Sequence, residues 1–196
     1  MAADEDHELV ALCQAGDVEA FRPLVEKHQK RMLNIAYRMI GDYEAACEVV
    51  QDAFLSAYKS IRRFRGEAKF STWLCRIVIN ASKSRAKQLK MRLQREGVSI
   101  GGMGDAGGDS KGSDPPSQGL SILEELERKE VQAKVQECIR SLDDEYREVV
   151  VLRDIQEFSY EEIGDILKIP GGTVKSRLFR ARDALRDCLR KALGDS

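Results

Sequence analysis

The residues best suited to bind another molecule lie near the carboxyl end, on a predicted helix with two unlike faces. One face is apolar, with residues that recur every three or four positions: Val174, Leu178, Ala181, Leu185 and Leu189. The opposite face carries hydroxyl, aromatic and charged side chains: Thr173, Ser176, Phe179, Arg180 and Asp183, flanked by Lys175, Arg177 and Arg182. A helix that is buried on one side and basic on the other is typical of a recognition helix in a DNA groove.

A shorter helix precedes this one, and together they predict a helix-turn-helix pair. Ser159 and Glu162 have the spacing of a capping box, which starts a helix at Tyr160. Pro170 and the two glycines after it end that helix and open the next. Because charged helix faces usually meet only water, this pattern leaves DNA binding and a solvated surface as equal alternatives. Phe179 favours a partner, since a large ring in a polar face is otherwise exposed to water.

A second basic block lies in the first half of the chain and also contains aromatic rings. Residues 59–95 have 12 basic side chains and one acidic, a net charge of +11. A loop from Arg62 to Lys69 leads into a helix that Ser71 can cap. One outer sector of that helix carries Thr72, Arg76, Asn80, Lys83 and Lys87. Cations that hold phosphates, beside rings that stack on bases, favour single-stranded nucleic acid. The alternative is that Phe64 and Trp73 belong to the core and the lysines are solvated.

The charge of the chain alternates along its length, and its composition argues against several classes of protein. Residues 1–58 carry a net charge of −6, residues 96–162 carry −10 and residues 163–196 carry +4. Two basic blocks between acidic ones indicate two separate polyanion contacts. No apolar run is long enough for a transmembrane helix. The acidic start lacks the apolar core of a signal peptide, so we expect a cytoplasmic protein.

The residue types that would indicate catalysis or a bound metal are missing from the pattern. The five cysteines are scattered singly, which is typical of reduced thiols and not of a zinc site. No Ser/His/Asp set, metal-ligand cluster or nucleotide-binding glycine loop is visible. We therefore expect no enzyme, no cofactor and no metal.

Helical periodicity runs through the chain without any alternating strand pattern, so we predict an all-α fold. The third predicted helix, from Tyr43 to Ile61, is expected to turn Tyr43, Cys47 and Val50 inward, and Ser141 is expected to begin a later helix that passes Arg153. Residues 97–119 are rich in Gly, Ser and Pro and predict a flexible linker. This linker divides the chain into a domain of residues 1–96 and a domain of residues 120–196 that ends in the helix-turn-helix.

Four stretches, in this order and spacing, make the chain resemble a known family. They are residues 21–61, 64–84, 142–167 and 169–186, and the likeness spans roughly residues 8–95 and 122–191. The chain resembles a bacterial RNA polymerase sigma factor of the extracytoplasmic-function (ECF) group, which keeps the second and fourth conserved regions of the sigma-70 family. The resemblance implies a promoter-specificity subunit that recognises −35 and −10 promoter elements.

The resemblance also implies a role for individual residues. Duplex −35 DNA would be contacted by Arg153, Thr173, Lys175, Ser176, Arg177, Phe179 and Arg180. The melted non-template strand of the −10 element would be contacted by Phe64, Arg65, Lys69, Trp73, Arg76, Asn80 and Lys83. The clamp helices of the β′ subunit of core polymerase would bind to Val50, Gln51, Asp52 and Leu55. The β flap of core polymerase would make a second contact with the chain. An anti-sigma factor would be a further partner.

Three positions depart from the family pattern. The family often has Asp or Asn where Ser84 stands, which affects the expected −10 contacts there. Gly164 and Gly172 replace an Ala and a bulkier residue, and helical Gly costs about 1 kcal/mol relative to Ala. We therefore expect a slightly looser helix-turn-helix.

Two other functions remain as alternatives. A helix-turn-helix regulator that binds duplex DNA without polymerase explains the C-terminal half but leaves Arg62 to Arg95 without a role. A helical adaptor whose basic blocks bind acidic proteins would not need Arg180 for any DNA-dependent function. Association with core polymerase distinguishes the first alternative, and substitution of Arg180 distinguishes the second.

Overall fold

The computed structural model describes residues 6–95 and 122–194, and every regular element in these ranges is helical. The predicted all-α fold is therefore confirmed for the described residues, whereas the predicted linker lies outside them. The helices are α1 (His7–Ala15), α2 (Phe21–Ile40), α3 (Tyr43–Ser60), α4 (Phe70–Arg95), α5 (Ile122–Ser141), α6 (Asp144–Val150), α7 (Tyr160–Leu167) and α8 (Gly171–Leu193). A 3₁₀ turn, Ile61–Arg63, follows α3, and a π-helical turn, Val151–Ile155, continues α6.

Helices α2, α3 and α4 pack against one another and form the N-terminal bundle. Gly41 ends α2 in the left-handed conformation (φ 82°), and the Asp42 carboxylate accepts a hydrogen bond from the Ala45 amide at 2.7 Å, which starts α3. The expectation that Tyr43 and Cys47 turn inward is wrong, because both are exposed. The buried side of α3 is centred one position away, on residues such as Ala46 and Ala53.

Helix α1 is fixed to α2 by a buried polar cluster. The Asp6 carboxylate lies 2.7 Å from His28 Nε2 and accepts a hydrogen bond from Lys27 Nζ at 2.8 Å. Val10 and Cys13 on the same helix are buried in the core. The position of α1 is thus set by contacts to α2 and not by the loops around it.

The C-terminal helices are joined by one arginine that binds several backbone carbonyls. Arg147, on α6, donates hydrogen bonds to the carbonyl oxygens of Ile139, Arg140 and Leu142 at 3.1, 2.6 and 2.7 Å. These carbonyls lie at the end of α5, where helical partners run out. The same guanidinium reaches Met39 O, at the end of α2, at 3.2 Å. The expected cap by Ser141 is wrong, because its hydroxyl donates to Cys138 O and α6 begins at Asp144.

A disulfide between Cys138 and Cys188 joins α5 to α8. The expectation of singly placed, reduced thiols is therefore wrong for these two cysteines. Their separation of 50 residues carries no sign of the pairing. They meet because α5 and α8 pack side by side, which is a property of the tertiary fold.

The local signals around the helix-turn-helix are confirmed. The Ser159 hydroxyl accepts from the Glu162 amide at 3.1 Å, and the Glu162 carboxylate accepts from the Ser159 amide at 2.9 Å, which completes the capping box. Helix α8 begins directly after Pro170. At Gly164 a Cβ would lie 3.0 Å from Ile169 O, so the glycine permits close approach of the turn.

The structure predicts that replacement of Arg147 destabilises the fold. Arg147→Ala removes the donors for four carbonyl groups, and we expect the free energy of unfolding to fall by about 3 kcal/mol. Urea denaturation measures this, with Arg190→Ala, an exposed arginine on α8, as the matched control that we expect to change it by less than about 0.5 kcal/mol. Equal effects of the two substitutions would contradict this account of Arg147.

The Asp6 cluster predicts a pH dependence of stability. Burial raises the pKa of the Asp6 carboxyl, but the hydrogen bonds from Lys27 and His28 outweigh it, so the pKa lies below its usual 3.8. A depressed pKa gives stability that is present above the unfolded value and lost as the pH falls through the folded one. Between about pH 6 and about pH 3, wild type should lose more stability in urea titrations than Asp6→Asn. Parallel losses would contradict the prediction.

Candidate nucleic-acid interface

The outer face of α8 is exposed as the sequence predicts. Val174, Leu178 and Ala181 are buried, whereas Ser176 and Arg180 on the opposite side are exposed. Phe179 is 76% exposed, which makes its ring available to a partner. Exposed hydrogen-bonding, cationic and aromatic groups on one helix face match the requirements of the DNA major groove.

Two arginines beside this face are held by carboxylates of α6 and of the π-helical turn that continues α6. Arg177 forms an ion pair with Glu145 at 2.6 Å, and Arg182 forms two hydrogen bonds to Asp154 at 3.0 and 2.5 Å. The Asp154 carboxylate raises the pKa of Arg182. These pairs fix α8 against α6 and its π-helical turn, so Arg177 points to a neighbouring helix and not freely to solvent.

Tyr160 links two residues of the predicted duplex-binding face and was missed as a site residue. The Arg153 guanidinium lies 5.0 Å from the centre of its ring, and Lys175 Nζ lies 5.9 Å from it. Arg153 also donates to Phe158 O at 2.9 Å, which orients it between the two helices of the motif. Thr173 is half-buried at the start of α8. The sequence pattern placed Tyr160 in an apolar stripe, and only the two cations over its ring indicate more.

The second predicted face is built on a cluster of three aromatic rings. The Phe64 ring lies 5.0 Å from that of Trp73 and 6.1 Å from that of Phe70. Phe70 is fully buried, while Phe64 and Trp73 are half-buried. The rings therefore pack against the core and also leave part of their surface to solvent, so binding of nucleic acid by this face stays a prediction. Arg65, next to Phe64, is exposed.

The basic side chains of α4 and of the loop before it differ in their surroundings. Asn80 is exposed and Arg76 is half-buried. Thr72 is 1% exposed, contrary to its expected place on an outer sector, because α4 packs on α7 as well as on α2 and α3.

Two lysines of this face form ion pairs with the C-terminal helices. Lys69 Nζ lies 2.9 Å from Glu162, on α7, and Lys83 Nζ lies 2.7 Å from Glu148, on α6. Burial raises the pKa of the Glu162 carboxyl, but hydrogen bonds from Lys69 and Ser159 outweigh it and the pKa lies below its usual value. Glu162 is thus a carboxylate at neutral pH. The sequence contained no sign that these acidic residues meet the basic block.

Further contacts join the two halves of the chain beside these ion pairs. The Arg31 guanidinium lies 4.0 Å from the centre of the Phe158 ring and donates to Gln156 O at 2.5 Å. Arg38 donates to the Gln136 side chain at 2.7 Å. The buried apolar side chains of both halves form one continuous cluster. The structure is therefore closed, with α6 and α7 against the basic face of α4.

The residues predicted to contact polymerase lie on α3. Gln51, Asp52 and Leu55 are exposed on one side, and Leu55 is 51% exposed. Val50 is 8% exposed and packs into the bundle, so it supports this surface without presenting its own side chain.

Residues 6–95 and 122–194 contain neither a membrane-spanning helix nor a metal-binding group of side chains. No helix there is long and apolar enough to cross a membrane. No group of three or more His, Cys, Asp or Glu side chains within the same ranges is placed to hold a metal ion.

Comparison with known proteins gives consistent matches. Residues 24–92 match the family described as Sigma-70 region 2, and residues 132–185 match Sigma-70, region 4. The chain is 34% identical to the RNA polymerase sigma-H factor of Pseudomonas aeruginosa over 196 residues, which is 100% of each protein. It is 37% identical to the ECF RNA polymerase sigma factor SigW of Bacillus subtilis over 175 residues, 89% of this chain and 91% of the relative.

Solved structures share the fold. CnrH, in complex with the cytosolic domain of CnrY, has a TM-score of 0.68 at 24% identity, over 96% of this chain and 99% of that one. The sigma factor RpoE of Bartonella quintana, in complex with the anti-sigma factor NepR, has a TM-score of 0.66 at 23% identity, over 88% of this chain and 98% of that one. Together with the full-length sequence relatives, these matches show that the chain belongs to the ECF group of the sigma-70 family and is a promoter-recognition subunit for transcription initiation.

Proposed function

We propose that this sigma factor contacts promoter DNA at two separate faces, one for the duplex −35 element and one for the melted −10 strand. The observation that supports this most is the second face, where half-buried rings lie beside exposed cations. A regulator that binds only duplex DNA has no use for it. The protein acts by binding alone and not as an enzyme, in the cytoplasm.

The −35 element is contacted by α8. Ser176 and Arg180 donate hydrogen bonds to base edges or phosphates, and the exposed Phe179 ring packs on a thymine methyl or a sugar. Arg153 and Lys175, which both lie over the Tyr160 ring, neutralise phosphates at the edge of the groove. Thr173 and Arg177 act mainly by fixing the start of α8.

The −10 element is contacted as a single strand. Phe64 and Trp73 supply ring edges for an unpaired base, while Arg65, Lys69 and Lys83 hold the phosphates. Arg76 and Asn80 lie along α4 where the strand continues. Binding to the unpaired bases offsets the free-energy cost of unpairing them, so no hydrolysis is needed.

Three protein contacts belong to the proposal. The β′ clamp helices of core polymerase dock on Gln51, Asp52 and Leu55, which are exposed together on α3. The β flap binds the C-terminal domain. An anti-sigma factor binds the chain, as NepR binds its sigma factor in the related structure.

The closed arrangement is incompatible with simultaneous −10 binding through Lys69 and Lys83. Their amines are paired with Glu162 and Glu148, and these carboxylates lie where phosphates must approach. The C-terminal domain therefore separates from α4 before the −10 strand binds. The polar contacts can exchange their partners for phosphates, whereas the apolar cluster shared by the two halves opposes separation.

Run-off transcription with core polymerase tests the function, and Arg180→Ala tests the −35 face. We expect Arg180→Ala to lower transcription at least about tenfold from promoters with a −35 element, because it removes a base or phosphate contact. Arg190→Ala on the same helix is the control and should leave transcription unchanged. Thermal unfolding should be the same for both, since both side chains are exposed. Full activity of Arg180→Ala, or no response of wild type to added core, would refute the proposal.

Removal of the two carboxylates should favour the open state. Glu148→Gln with Glu162→Gln keeps the side-chain shapes, and Gln also serves a capping box. We expect this variant of the full chain to bind a single-stranded −10 oligonucleotide roughly tenfold more tightly than wild type. The sequence of the oligonucleotide is taken from a promoter whose start site has been mapped by run-off transcription. Glu137→Gln with Glu161→Gln, both exposed, makes the same change of net charge and is the control. If the control binds equally tightly, separation of the domains is not what the substitutions promote.

A further inference from the structure

The Gln14 side chain lies outside the basic block of residues 59–95 but contacts both ends of the 3₁₀ turn within that block. The Gln14 carboxamide, on α1, donates from Nε2 to Ile61 O at 3.0 Å and to Phe64 O at 2.8 Å. These residues bracket the 3₁₀ turn and lie 47 and 50 positions away in sequence. Gln14 is half-buried, and α1 lies outside residues 24–92 that match Sigma-70 region 2.

The pair of hydrogen bonds accounts for the shape of the turn. A carboxamide nitrogen has two hydrogens, and here one goes to Ile61 O and the other to Phe64 O, at the two ends of the turn. The Phe64 amide also donates to Ile61 O at 3.0 Å, so the turn is closed from within and from α1. Phe64 is thereby placed where its ring contacts Trp73 and Phe70.

Helix α1 can fix the turn because its own position is set elsewhere. Asp6 binds it to α2 through His28 and Lys27, and Val10 and Cys13 are buried. Gly16 ends α1 with φ of 106°, and the guanidinium of Arg62 lies close to this glycine. The turn is thus attached to a helix that has contacts of its own to α2 and to the core.

We propose that Gln14 is a positioning residue for the −10 strand: its carboxamide holds the Ile61–Phe64 turn so that the Phe64 ring and its neighbouring arginines are placed before the base arrives. The inference rests on the proposed −10 function of that loop. A loop that is already ordered loses less conformational entropy when it binds, so the strand binds more tightly. Only a side chain with two donors fits, because both partners are acceptors.

The test uses full-length protein in holoenzyme with core polymerase. Gln14→Glu keeps the shape and removes both donors, and Gln14→Leu removes them without adding charge. Gln29→Leu, at an exposed position on α2, is the matched control. We expect both Gln14 variants to reduce open-complex formation, followed by permanganate reactivity of the −10 region, about tenfold, with core affinity close to that of the control. Loss of the two hydrogen bonds should lower the melting temperature, so the assay is run at a temperature at which circular dichroism shows each variant to be fully folded. A defect in Gln14→Glu alone would assign the effect to charge and overturn the proposal.

A double-substitution cycle shows whether Gln14 acts through Phe64. If it does, Phe64→Ala should reduce open-complex formation, and adding Gln14→Leu should reduce it little further. Independent, multiplicative effects would overturn the positioning role. If Phe64→Ala itself forms open complexes like wild type, the proposed −10 role of the loop fails, and this outcome is distinct from the failure of Gln14.

Discussion

The basic face formed by α4 and the loop before it imposes a charge constraint on the observed arrangement. A strongly basic face requires nearby anions, and in the closed chain Glu148 and Glu162 supply them. Glu148, the partner of Lys83, is only 3% exposed. Separation of the domains would therefore remove Lys83 from the Glu148 carboxylate and expose that carboxylate to water in the same step. The pair with Glu162 is more exposed and contributes little by itself. Phosphates offer the same lysines a denser array of charge, which makes exchange of partners possible.

This arrangement connects stability with function through shared residues. Arg147 completes the end of α5 and also reaches the end of α2, so a residue of the C-terminal domain stabilises both its own fold and the closed state. Arg31 has a similar double contact from the N-terminal bundle, with the Phe158 ring and the Gln156 carbonyl. The closed state therefore combines polar and cation–ring contacts with an apolar centre. Such contacts weaken with salt and are exchanged more readily than a wholly apolar interface.

The two proposed DNA-binding faces are built in different ways. The face on α8 belongs to a single helix, whose period places its exposed groups together and which begins directly after Pro170. The proposed −10 face combines a turn, one end of α4 and, through Gln14, helix α1. It needs long-range contacts to be complete, and its rings are shared with the core. This explains why Phe64 and Trp73 satisfied two interpretations of the sequence equally well.

The sequence by itself determined the helical fold, the capping box at Ser159, the exposed side of α8 and the family, because each follows from local periodicity or from residue order. Tertiary structure decided what the sequence left open or got wrong. Cys138 meets Cys188, Thr72 is buried, and Glu148 and Glu162 meet Lys83 and Lys69. Helical period specifies which side chains share a face, whereas the neighbour of that face is chosen by packing between segments distant in the chain. Pairings of charge or sulfur across such segments therefore leave no local signal.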